Sequence, residues 1–177
     1  MTKRQVFYSF HFKNDSWRAG QVRNIGVVEG NTPVSSNDWE EVKRKGNVAV
    51  KRWINSHMEY RSCIIVLIGS ETSSREWCRY EIEHDWKEGK GIVGIYVHHL
   101  KDFNGEQSTK GNNPFKLFYI DRTYNYIAER NYPVDGNEIN LSEICKTYNP
   151  PYKISTNVYD YIKEHINEWV DEAIRIR

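Results

Sequence analysis

No stretch of the 177-residue chain approaches the roughly 18 consecutive apolar residues of a membrane span. Charge of one sign is also missing. The 25 basic and 24 acidic residues nearly cancel, so there is no electrostatic footprint for nucleic acid. The opening MTKRQVFYSF holds no apolar core long enough for a signal peptide, and a cytoplasmic location is expected. Cysteine is scarce. Cys63, Cys78 and Cys145 are odd in number and form no C-x-x-C pair, which fits buried free thiols in a reducing compartment and gives redox catalysis no support. Walker loops, G-x-S-x-G, H-E-x-x-H and a G-x-G-x-x-G turn after the first strand are all missing. His98 and His99 adjoin a strand end, where neighbouring residues point to opposite faces, so no metal site is expected. Internal repeats and low-complexity tails are lacking too, and residues 1–177 read as one domain.

The clearest positive signal lies at Ser62–Gly89. Cys63–Ile68 is an unbroken apolar run, the pattern of a parallel strand covered on both faces. Gly69 and Ser70 break it. Ser73 and Glu76 then have capping-box spacing, predicting a helix from Ser73 to about Gly89. The Ser70–Arg75 loop therefore falls at the carboxyl edge of the sheet, where open α/β folds bind ligands. On that helix Cys78, Ile82 and Trp86 face the sheet, while Trp77 and Glu81 form an i, i+4 pair on its flank. A carboxylate beside an indole suits a cationic ligand. The plainer alternative is a half-buried packing Trp77 and a solvated Glu81.

Val6–Phe10 reads as the first strand, followed by a helix from Ser16 that Gly26 ends, and by a brief second strand at Val27–Val28. Gly30-Asn31-Thr32-Pro33 is a loop signal. Asn37 or Asp38 is expected to cap a helix whose stripe includes Trp39, Val42 and Trp53, with Gly46 a point where it splits. Ile92–Val97 is a further covered strand. Residues 98–151 lose the periodicity and are expected to be irregular, with a last strand, a hairpin and loops over the sheet edge. A closing helix over 155–175, capped by Ser155 or Thr156, carries the stripe Val158, Ile162, Ile166, Trp169 and Ala173. Strands alternating with helices predict an α/β, flavodoxin-like parallel sheet with helices on both faces. A response regulator would need acidic residues where Phe10-His11 and Gly69-Ser70 stand.

Three stretches carry a family resemblance. VFYSFHFKND at 6–15, VLIGSETSSREWCRYEI at 66–82 and KGNNPF at 110–115 resemble the boxes of Toll/interleukin-1 receptor (TIR)-like domains, most closely the TIR-like component of the bacterial Thoeris antiphage system. The Trp-Cys-x-x-Glu element behind an apolar strand and a Ser loop is the most specific. The resemblance implies an NAD+-consuming enzyme with Glu81 as catalytic residue, cleaving the nicotinamide–ribose bond. Its product would be a cyclic ADP-ribose isomer that reaches a separate effector as a diffusible nucleotide signal. NAD+ is then substrate, and no cofactor is implied. Ser9, Phe10, His11, Ser70 and Trp77 are the expected substrate contacts. Asp38 and Trp39 are the local substitutes for a TIR loop that the region EGNTPVSSNDWE at 29–40 does not reproduce. Many TIR enzymes complete their site with a neighbouring subunit, so a homo-oligomer is an expectation. The alternative is a catalytically silent TIR-like interaction module in which Glu81 is a surface residue.

Overall fold

A computed structural model describes residues 3–31 and 36–177, with the side chains of Ser36 and Asn37 left aside. At its centre four parallel strands run in the order β1 (Val6–Ser9), β2 (Cys63–Ile68), β3 (Gly91–Tyr96) and β7 (Thr147–Tyr148). Every residue of the first three strands is buried. Alternation then sorts the side chains. Val6, Tyr8, Cys63, Ile65, Leu67, Val93 and Ile95 pack beneath α1 (Phe12–Arg23) and α5 (Ser155–Ile176). Phe7, Ile64, Val66, Ile68 and Ile92 face α3 (Asn47–Met58) and α4 (Glu76–Lys87) on the other side. Burying each such aliphatic side chain stabilises the fold by about 1.5–3 kcal/mol, which is why a continuous apolar run, not an alternating one, encodes β2.

The sheet is the α/β, flavodoxin-like one, with local corrections. The Val27–Val28 strand does not form. A single parallel bridge, Gln5 to Glu29, stands at that edge. The chain peels away because Asn31 Oδ1 accepts the Tyr8 amide at 3.0 Å, a proton that a continuing strand would have taken with a carbonyl. α1 begins at Phe12 rather than Ser16 and ends at Arg23. Asp15, expected in a loop, is buried inside this helix, with Arg18 Nη1 donating to its Oδ1 at 2.8 Å. Arg18 also donates to the carbonyls of Leu100 and Glu106, each at 2.8 Å, and so ties α1 to the chain beyond β3.

The helix predicted over Trp39–Trp53 is two, α2 (Ser36–Arg44) and α3, parted at Gly46, whose φ of 95° lies in the region glycine tolerates. Asn37 and Asp38 sit inside α2 rather than capping it, and residues 32–35 just before it, with Thr32 and Pro33 of the loop signal among them, lie outside the described residues. Ser73 caps nothing. Residues Thr72–Ser74 form a 3₁₀ turn, Thr72 Oγ1 accepts the Gly69 amide at 2.8 Å, and α4 starts only after an extended Arg75. The C-terminal helix is entered through Ile154. Ser155 Oγ accepts instead from the Lys101 amide at 3.2 Å, and Thr156 is already helical.

Residues 98–151 contain a small antiparallel sheet in the order β5 (Ile127–Glu129), β4 (Phe118–Asp121), β6 (Glu138–Asn140), ahead of β7. Phe118 and Ile120 of this sheet, with Leu141, close the core on the α3/α4 side. His98 and His99 lie in the turn after β3, not on the strand, and their rings are 4.1 Å apart instead of on opposite faces. No helix of the described residues is long and apolar enough to cross a membrane.

Candidate active site

β1 and β2 both end at the same edge of the sheet, and α4 returns across it. That places Ser9, the last residue of β1, against Glu81, in the second turn of α4. Ser9 Oγ donates to Glu81 Oε2, and both residues are buried. Glu81 is only 8% exposed, so the solvated alternative fails for this residue. Burial pushes its carboxyl up from 4.5 to about 8. The Ser9 hydroxyl pulls the other way, and the charge of Asp85, one turn further along α4, adds to the rise.

Two adjoining cavities open here, with Phe10, Phe12 and Trp39 as shared walls. The inner one, about 60 Å³, reaches Glu81 and is closed by Trp53. The outer one, about 620 Å³, is within the size range of small-molecule sites and runs past His11 and Arg75 to Trp77. Phe10 and Trp39 therefore stand where a ligand entering toward Glu81 would touch them. The Trp39 and Trp53 rings lean together at 5.5 Å between centroids. Trp77 is half-buried against Tyr80, with ring centroids 5.8 Å apart, and walls the outer cavity instead of the inner one.

His11 lines the outer cavity and is 8% exposed. Arg75 Nη1 donates to its Nε2 at 3.1 Å, which leaves the imidazole proton on Nδ1. Burial first, and Arg75 second, hold the ring below its ordinary pKa, so it is neutral at pH 7. Ser70 and Asp38 line neither cavity. Ser70 follows β2 where its backbone is packed on Gly111, and Asp38 is exposed in the first turn of α2. Phe12, Trp53 and Arg75 line the cavities but carry no motif of their own. The only signal for Phe12 and Arg75 was their place within the first two boxes.

The loop after β2 is held from two sides. A Cβ on Gly69 would stand 2.1 Å from Asp15 Oδ2, and one on Gly111 2.0 Å from the Gly69 carbonyl oxygen. KGNNPF thus packs directly on the Ser loop, and its Asn113 side chain accepts the Phe115 amide at 2.9 Å to turn the buried Phe115 inward.

Residues 7–102, which include β1 from its second residue, all of β2 and α4, and every residue of the cavities described above, match the family described as Thoeris protein ThsB, TIR-like domain. The chain belongs to that family. It is also 36% identical over 180 residues, spanning 99% of this chain and 85% of the relative, to a Bacillus cereus (strain MSX-D12) protein named "Putative cyclic ADP-D-ribose synthase ThsB1". Two of the stretches that carry the resemblance, 6–15 and 66–82, meet at Ser9 and Glu81.

Proposed function

We propose that this protein is an NAD+-consuming signalling enzyme of Thoeris antiphage defence. It breaks the nicotinamide–ribose bond beside Glu81 and closes the remainder into a cyclic ADP-ribose isomer, which travels to a separate effector in the same cytoplasm. The observation that carries this is a buried carboxyl, bonded to Ser9, that lines a small aromatic-walled cavity adjoining an outer one large enough for a small molecule.

The chemistry follows from the charges. Nicotinamide leaves as a neutral molecule from a cationic substrate, so little acid catalysis is needed. Positive charge passes to the ribose as the bond lengthens, as in glycoside hydrolysis. A carboxylate fixed nearby stabilises that charge without reorganising. Glu81 is mostly protonated in the empty site. The arriving cation favours its ionised form, and Ser9 Oγ keeps the carboxylate aimed. Phe10, Trp39 and the neighbouring aromatic walls exclude water, which cyclisation requires because an internal nucleophile of the substrate must outcompete it. No metal or cofactor takes part in this scheme. A second subunit covering the cavity mouth would complete the enclosure.

Mass spectrometry of nucleotides from phage-infected cells tests the reading. Cells carrying the wild-type chain are expected to accumulate nicotinamide and a cyclic ADP-ribose isomer, and cells carrying Glu81→Gln neither. A cyclic product formed equally by both would reject it.

A further inference from the structure

Three basic side chains stand on the wall of the outer cavity: Lys13 of α1, Lys43 of α2 and Arg75 at the entry to α4. Lys43 is matched by Glu40, at 2.8 Å. Lys13 and Arg75 form no ion pair among the described residues. Arg75 is instead oriented by His11, and a neutral imidazole accepts one guanidinium proton without cancelling the charge. An acidic residue in the place of His11 would have neutralised it. His11 is itself more than nine-tenths buried, and its Nδ1 lacks a hydrogen-bond partner, the Glu71 carboxylate lying beyond reach at 3.9 Å.

The start of α4 opens on the same cavity, since Glu76, Trp77 and Cys78 line it. Arg75 is the N-cap and supplies no side-chain bond to the first-turn amides. Glu76 is the remaining carboxylate on this wall, in the turn where the helix dipole favours it. Uncompensated cations beside an uncapped helix start, on a cavity wall, form the receptor that a phosphate needs, and a guanidinium fork matches its oxygens two at a time.

We propose that Arg75 and Lys13, with the open first turn of α4, bind the pyrophosphate of a dinucleotide whose other end reaches Glu81. The subsite rests on the NAD+-consuming reading for its ligand, but its test does not need turnover. The substrate is thereby held by its phosphates in the outer cavity, and the specificity is for a nucleoside diphosphate over a bare nucleoside.

Isothermal titration of the purified chain with ADP-ribose and with adenosine, in the wild type, Arg75→Ala, Arg75→Lys and Lys13→Ala, decides it. Arg75→Ala is expected to weaken ADP-ribose by about tenfold or more, the scale of a lost charged hydrogen bond. Lys13→Ala should cost less, Arg75→Lys should restore part of the loss, and added salt should narrow the differences. Adenosine affinity should not change. Equal ADP-ribose affinity in wild type and Arg75→Ala overturns the subsite, as does a parallel loss for adenosine. Nicotinamide release without Arg75 dependence would leave the proposed function standing and remove the subsite. Arg75-dependent binding without nicotinamide release would do the reverse.

Discussion

Ser9 Oγ bonds to Glu81 Oε2 across 72 residues of sequence, joining the end of β1 to the second turn of α4. Neither residue is explained by packing alone. A hydroxyl at the end of a fully buried strand and a carboxyl on the sheet-facing side of a helix each cost desolvation, and each is satisfied by the other. The bond stabilises the ionised carboxyl, while burial opposes ionisation. The balance lies at about 8.

That balance sets a pH profile. In the proposed reaction the working form is the carboxylate, which in the free protein exists mainly above about pH 8. kcat/KM for NAD+ is therefore expected to rise roughly tenfold per pH unit through the neutral range and to level off near pH 8. Initial rates of nicotinamide release between pH 6 and 9 check this; an acid-side optimum would mean that Glu81 works protonated.

The same shift predicts a conflict between stability and function. A group whose folded pKa is raised stabilises the fold fully below its unfolded value and loses that contribution as pH climbs to the folded one. For Glu81 the window runs from 4.5 to about 8. Within it the folded state holds a proton the unfolded chain has lost, so stability falls by about 1.4 kcal/mol per pH unit. Glu81→Gln keeps the shape and cannot ionise. It is expected to melt several degrees above the wild type at pH 8 and to match it near pH 4.5. Asp85, fully buried and pushed up to about 7, should behave alike as Asp85→Asn.

Ser9→Ala removes the one hydroxyl that lowers the carboxyl's pKa. The rising limb of the pH profile should move to higher pH, and stability should fall by about 1–3 kcal/mol for the orphaned buried group. Denaturant unfolding and the same rate series read both. An unmoved limb would show that Ser9 does not touch the working carboxyl.

Away from the site, Arg18→Ala strands the buried Asp15 carboxylate and cuts the tie from α1 to the Leu100 and Glu106 carbonyls. A loss of about 3–5 kcal/mol is expected in denaturant melts. Asp15→Asn, which keeps a polar partner, should cost less.

The sheet was legible because its strands are buried on both faces, so Cys63–Ile68 is written as an uninterrupted apolar run whose bounds match β2. Helix starts were not. Ser73 and Ser155 have capping sequences, but their loops are satisfied by Thr72 and by the Lys101 amide, contacts that sequence spacing cannot show. The Val27–Val28 strand failed for a similar reason, since one asparagine side chain replaced the ladder. Within the candidate site, the motif singled out Glu81 but gave no sign of its burial. The i, i+4 spacing placed Trp77 beside it, while the inner cavity is walled by Phe10, Trp39 and Trp53, brought there from three separate segments. Arg75 drew no notice because its partner, His11, is 64 residues away.

The most direct test of Glu81 as the working carboxylate is nicotinamide release from NAD+ at pH 8 by assembled wild-type protein and by Glu81→Gln, with folding of each checked by its melt. A rate lower by about 10²–10³ in a variant at least as stable as the wild type is the predicted result. Equal rates from the two proteins would contradict it.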